Sequence, residues 1–291
     1  MSVVRRADLP KCFLRFGRTG ASSAMRLYCF AHAGGTAATF AQWGRLLAPD
    51  IEVYAVEQPG HGTRMNEEPL TDVAEMARAI LPDLIDMQSD RLPFAFYGHS
   101  LGAVVAYELA LAMCHNERKA AGSSYTPSER WPQLTLQHLF VGAVRAPHLP
   151  PVLPPVSHLD QAEFLITVQQ RYGGISDAVL AEPELLEMIL PPLRADFAAY
   201  EAYFHADRQR LTCPVTAFAG SLDPVVRSES VAAWADHTSG PFRFHTVPGD
   251  HFFLAAYREQ VLGLIARALR TQIVERPVEG VESVAGDSFH P

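Results

Sequence analysis

A chain of 291 residues is long enough for one large α/β domain or two ordinary ones, and on folding it can bury about three quarters of its surface. Hydrophobic residues make up 48% and charged residues 19%, which excludes disorder as the main state. The net charge is −8 and the 24 cationic side chains are scattered, so there is no basic footprint for phosphate neutralisation and nucleic-acid binding is not expected. In chain order, short apolar runs alternate with helical periodicity, the pattern of a mostly parallel sheet with crossover helices. Strands are predicted at Arg26 to Ala31, Ile51 to Val56, Phe94 to Tyr97, Gln137 to Ala143, Val215 to Ala219 and Phe242 to Val247. Between the second and third, Val73, Met76, Ala77, Ile80, Leu84 and Met87 follow a 3.6 period behind an Asp72 cap, with Pro82 expected to kink or break the helix. Leu101 to Cys114 carries Glu108 as its one charged residue and is expected to be a buried central helix, followed by a polar surface loop from His115 to Pro132. Five prolines between Pro147 and Pro155 then interrupt the rhythm. Three short helices are predicted around Gln161 to Gln170, Pro183 to Leu190 and Leu193 to Phe204, the last presenting Leu193, Phe197, Tyr200 and Phe204 on one apolar face. A final helix is predicted over Phe252 to Arg270. Residues 1–24 and 271–291 are expected to be loose ends around one domain spanning 25–270, with a helical cap at about 157–204.

The chemistry is concentrated in turns at the carboxyl ends of predicted strands. Phe94 to Tyr97 runs into Gly98-His99-Ser100-Leu101-Gly102 and then into the apolar helix, the strand, sharp turn and helix that a G-x-S-x-G nucleophile elbow requires. Ser100 is therefore the expected nucleophile. A serine hydroxyl needs a base, and the base an orienting carboxylate; in this fold acid and base follow the serine in that order. Asp223, after the strand VTAFA, and His251, after the last strand, fit. His245 reads as a sheet-face residue, Asp250 as a helix cap, His99 as a local packing or hydrogen-bonding residue and His61 as a turn residue, with a substrate-side role as its alternative. The segment His32-Ala33-Gly34-Gly35 lies where the fold draws an oxyanion-hole amide, so the donors are expected to be the backbone amides of Ala33 and Leu101. Phe197, Tyr200 and Phe204 are the expected cap residues against substrate. Cys29 and Cys114 read as inert core thiols. No C-x-x-C pair or His/Cys cluster has zinc-ligand spacing, so a reduced, metal-free interior is expected. The absence of a membrane-length apolar run and of a signal-type start makes a cytoplasmic protein the expectation.

The blocks CFAHAGG (Cys29 to Gly35), QPGHGTR (Gln58 to Arg64), YGHSLGA (Tyr97 to Ala103), RAPHLP (Arg145 to Pro150), RYGGI (Arg171 to Ile175), LPPLRADF (Leu190 to Phe197) and GDHFFL (Gly249 to Leu254) occur in one order. In these blocks the chain, from about Leu27 to Ala268, resembles the type II thioesterases that accompany nonribosomal peptide and polyketide synthases, within the α/β-hydrolase superfamily. It departs from their pattern at Ala31, where a proline is common, and in the loop from Asn116 to Arg130. The resemblance implies an α/β-hydrolase fold with a helical lid and a triad of Ser100, Asp223 and His251. It implies hydrolysis of acyl thioesters on the phosphopantetheine of acyl or peptidyl carrier domains, without a cofactor of the enzyme's own. A monomer is expected. The alternatives are a general carboxylesterase, a chain-releasing thioesterase, or a carrier-binding module with a vestigial site.

Overall fold

The computed structural model describes residues 9–17, 23–122, 134–175, 177–205 and 209–274. Seven strands form one sheet: β1 Phe13–Phe16, β2 Met25–Phe30, β3 Ile51–Val56, β4 Phe94–His99, β5 Leu136–Gly142, β6 Val215–Gly220 and β7 Phe242–Val247. Their order is β1-β3-β2-β4-β5-β6-β7, parallel except for β1, which runs antiparallel to β3. Because successive side chains point to opposite faces, each strand feeds two cores. In β4, Phe94 and Phe96 face the layer containing α2 (Val73–Met87), α3 (Leu101–Gly122) and α7 (Ser228–Ala232). Ala95 and Tyr97 face the layer of α1 (Trp43–Leu47) and α8 (Leu254–Val274). The six predicted strands all occur, with their bounds moved by at most two residues.

Four expectations are corrected. The N-terminal segment is not loose throughout: Phe13–Phe16 is a fully buried edge strand, with Phe13 opposite Val56 and Phe16 opposite Val53. Four residues interrupted by Arg15 are too few to show a period. The polar stretch after Cys114 begins as helix, since α3 continues to Gly122 through Glu117-Arg118-Lys119-Ala120-Ala121, residues of good helix propensity; residues 123–133 lie outside those described. Likewise α8 runs to Val274 rather than stopping near Arg270, and 275–291 lie outside the described residues. The two helices expected on either side of Pro191-Pro192 are one, α6 (Pro183–Ala202), joined to β5 by α4 (Gln161–Tyr172) and α5 (Asp177–Leu180). The helix-internal prolines Pro82, Pro191 and Pro192 deprive the carbonyls of Arg78, Glu187 and Met188 of donors. All three of those residues are exposed, so water can take the bonds and the helices continue.

The sheet reverses its order of growth at β2, with β3 on one side and β4 on the other, so the loops leaving β2 and β4 open a crevice at the carboxyl edge. The start of α3 is pressed into that crevice. A Cβ on Gly98 would lie 2.3 Å from Ala103 Cα, and one on Gly102 would lie 2.3 Å from the Phe30 carbonyl oxygen. Both obstacles are backbone. Gly98→Ala is therefore expected to cost about 3 kcal/mol or more, at or beyond the upper end for overpacking. Gly263, exposed on α8 with nothing within 4 Å of its Cβ position, is the contrast: its change to alanine should stabilise by about 0.5–1 kcal/mol. Denaturant melts of the two variants should move in opposite directions.

Candidate active site

Ser100 ends the turn between β4 and α3 in the left-handed region, φ 53°, a conformation that costs a residue with a Cβ and that lifts the side chain off the sheet. Its amide donates to the Gly142 carbonyl at 2.8 Å, which ties the elbow to β5. The Ser100 Oγ lies 3.0 Å from His251 Nε2, and His251 Nδ1 lies 2.9 Å from Asp223 Oδ2. Since a carboxylate only accepts, Nδ1 carries the proton and Nε2 presents its lone pair to the Ser100 hydroxyl. Asp223 is itself fixed, its Oδ1 accepting from the amides of Val225 and Val226 at 2.8 and 3.0 Å. Three loops, after β4, β6 and β7, thus converge on one hydrogen-bonded chain. His251 and Asp223 are almost fully buried, which keeps water from competing for the bonds.

The rival residues take other places. Asp250 turns back to accept from the Phe252 amide at 2.8 Å. His245 stacks on Phe218 in the sheet. His99 lies beneath the chain, its Nε2 donating to the His251 carbonyl at 2.8 Å and its Nδ1 accepting from the Tyr97 hydroxyl at 3.2 Å. Burial, then the neighbouring His251 and His32, push its pKa well below the ordinary histidine range, so His99 stays neutral and this single tautomer satisfies both partners. Burial pushes the Cys29 thiol far up, so it stays protonated.

Above the chain lies a cavity of about 300 Å³. Its floor is made by His32, Ala33, Gly34, Ser100, Leu101 and His251, and its walls by apolar side chains of the inserted helices, among them Val168, Ile189, Leu193 and Phe197. Among the described residues, the amides of Ala33 and Leu101 have no protein acceptor, and both residues line this space. Two free N–H groups beside a serine at the positive end of a 22-residue helix form a place for a negative oxygen. Phe197 and Tyr200 line the cavity. Phe204 does not: α6 ends at Ala202, Tyr203 is extended, and Phe204 is 54% exposed outside the cavity. The four-three-four spacing assumed a helix two residues longer than the one that forms.

Periodicity offered no hint of the ring contacts around His251. Tyr172, at the end of α4, packs edge-on to it at 5.1 Å, and Phe252 does so at 5.3 Å. His32 lies 5.0 Å from Phe252, with its pKa lowered to about 4 by burial and by the nearby His251, so it adds no positive charge. The RYGGI and HAGG blocks carried the only available signal for Tyr172 and His32.

A family model for a thioesterase domain matches residues 25–269. The chain belongs to the thioesterase family. Family members similar to it include Thioesterase PikA5 of Streptomyces venezuelae, 36% identical over 274 residues, an alignment covering 91% of this chain and 90% of that protein. Linear gramicidin dehydrogenase LgrE of Brevibacillus parabrevis is 35% identical over 271 residues, covering 91% and 95%. Among solved structures, the type II thioesterase BorB from the borrelidin biosynthetic cluster superposes with a TM-score of 0.75 at 33% identity, covering 91% of this chain and all of that one. The fold is that of the α/β-hydrolase thioesterases. Among the described residues, no helix is long and apolar enough to cross a membrane, and no group of His, Cys, Asp and Glu side chains is arranged to hold a metal ion.

Proposed function

We propose that this thioesterase hydrolyses acyl thioesters held on the phosphopantetheine arm of carrier domains, as an editing enzyme for a nonribosomal peptide or polyketide synthase. The observation that carries the reading is the chain Ser100–His251–Asp223 opening on an apolar cavity beside two unpaired amides. Ser100 attacks the thioester carbonyl carbon as His251 Nε2 takes its proton, and Asp223 holds the imidazolium that forms. The carbonyl oxygen becomes an oxyanion received by the Ala33 and Leu101 amides. Collapse breaks the carbon–sulfur bond, and the thiolate leaves with the proton from His251. Water then attacks the acyl-serine, giving its proton to His251, and the acid departs as Ser100 is restored. These steps need no cofactor belonging to the enzyme.

The insertion at about 157–204 acts as the lid, its apolar inner face against the acyl chain. None of the four cysteines is in a disulfide, which fits an enzyme working in the reducing cytoplasm beside its synthase. The redox activity in the name of LgrE is not carried over. This sequence has no G-x-G-x-x-G run, and its strand-to-helix turn holds a serine bonded to a histidine.

The test is a comparison of one acyl group presented as a carrier-bound thioester and as a simple ester. Binding of the carrier and arm should raise kcat/KM for the thioester by roughly 100-fold or more. Equal kcat/KM for the two would make the protein a general carboxylesterase.

A further inference from the structure

Three of the sequence blocks meet at one oxygen atom that the catalytic steps do not use. Asp196, in LPPLRADF on α6, is buried, and its Oδ2 accepts from the Gly34 amide of the HAGG turn at 2.7 Å. The same oxygen lies 3.0 Å from Nε2 of His61, in the QPGHGTR loop after β3. His61 Nδ1 lies 3.0 Å from the Pro59 carbonyl oxygen. Both neighbours of the ring accept only, so both ring nitrogens donate and His61 is an imidazolium. Burial pulls its pKa down, but the hydrogen bond and charge of Asp196 outweigh that and hold it above the ordinary histidine value.

The contact is reinforced by packing. Gly34 has φ 71°, and a Cβ there would lie 2.7 Å from Leu193 Cδ1, so α6 presses an apolar side chain and a carboxylate onto the same residue. Gly34 directly follows Ala33. A hydrogen bond to the Gly34 amide fixes the plane of the Ala33–Gly34 peptide and with it the rotation about the Cα of Ala33, a residue that lines the cavity. A bare carboxylate so near a developing oxyanion would oppose it; the charge on His61 removes that opposition and leaves the orientation.

We infer that Asp196 is a positioning residue, carried by the lid and neutralised by His61, which sets the Ala33 amide so that the oxyanion hole is complete only when α6 is seated on the HAGG turn. This rests on the reading of Ser100 as nucleophile and Ala33 as oxyanion donor. It makes the lid part of the catalytic device rather than a cover: departure of α6 releases the turn that must receive the oxyanion, so an open enzyme is an inactive one.

The test compares two side chains of nearly the same shape. Asp196→Asn can keep an oxygen in the place of Oδ2, accepting from both the Gly34 amide and His61 Nε2; Asp196→Leu keeps the volume and has no acceptor. With an acyl-carrier thioester, the Leu variant should lose about 100-fold in kcat with KM within about threefold of wild type, and the Asn variant should stay within about fivefold in kcat. Affinity for an alkylboronic acid, which forms a tetrahedral adduct on the serine, should fall in parallel with kcat. A Leu variant with wild-type kcat, or one whose whole loss lies in KM, overturns the inference. Ser100→Ala, assayed alongside, separates the failures. If it remains active the nucleophile reading falls and this inference with it, whereas an inactive Ser100→Ala beside a fully active Asp196→Leu sinks this inference alone. Should Asp196→Leu fail to melt cooperatively, the wild-type boronate adduct decides by amide hydrogen exchange. A protected Gly34 amide supports the assignment, and exchange at the rate of an exposed loop overturns it.

Discussion

Ser100→Ala should abolish thioester hydrolysis, with kcat lowered by about 10⁶-fold, while the fold is unchanged. The size follows from the way the hydrogen-bonded chain works as a unit. Without Oγ there is nothing for His251 Nε2 to deprotonate and no acyl-enzyme to form, so the oxyanion amides and the binding cavity are left to act on direct attack by water. The fold should be insensitive because what holds the elbow is backbone. The Ser100 amide still reaches Gly142, α3 still starts at Leu101, and alanine carries the same Cβ through the same left-handed φ. The measurement pairs turnover of an acyl-carrier thioester with a thermal melt, and adds intact-mass detection of a fluorophosphonate adduct, which wild type forms and the variant does not. A folded variant turning over within a few fold of wild type would assign the nucleophile elsewhere.

The parts of this site that were legible in the sequence are those imposed by local geometry. A strand that must turn sharply into a helix writes itself as Gly98-His99-Ser100-Leu101-Gly102, because backbone atoms lie 2.3 Å from where side chains would begin at both glycines. Asp223 and His251 were legible because parallel strands deliver their following loops to one edge of the sheet. What was not legible depends on contacts between distant segments. The edge strand Phe13–Phe16 is defined by pairing with β3 rather than by its own four residues. The continuity of α6 through Pro191-Pro192 depends on which carbonyls face solvent, and the exposure of Phe204 follows from where that helix stops. His61 read as a turn residue, for nothing near it in sequence reveals that Asp196, 135 positions away, supplies the acceptor that keeps it charged. Motif blocks marked both residues as special without saying that they touch.

Asp223→Asn should lower kcat by about 10⁴-fold, the loss typical when the acid of such a triad is made neutral. The direction can be derived from the partners. Asp223 Oδ1 accepts from two backbone amides, those of Val225 and Val226, so an asparagine placed here keeps its one carbonyl oxygen toward them and turns its NH₂ toward His251. The ring nitrogen Nδ1, 2.9 Å away, must then accept instead of donate. That moves the imidazole proton to Nε2, which faces the Ser100 hydroxyl and can no longer take its proton. The base is lost by a change of tautomer, with every heavy atom where it was, so melting should change little while kcat collapses. Asp250→Asn is the control. Its Oδ1 accepts from the Phe252 amide alone, a bond that an asparagine oxygen can also make, and turnover should stay within a few fold of wild type. The opposite outcome, with Asp250→Asn crippled and Asp223→Asn nearly silent, would mean that the histidine is oriented by the neighbour beside it in sequence rather than by the carboxylate 28 residues away.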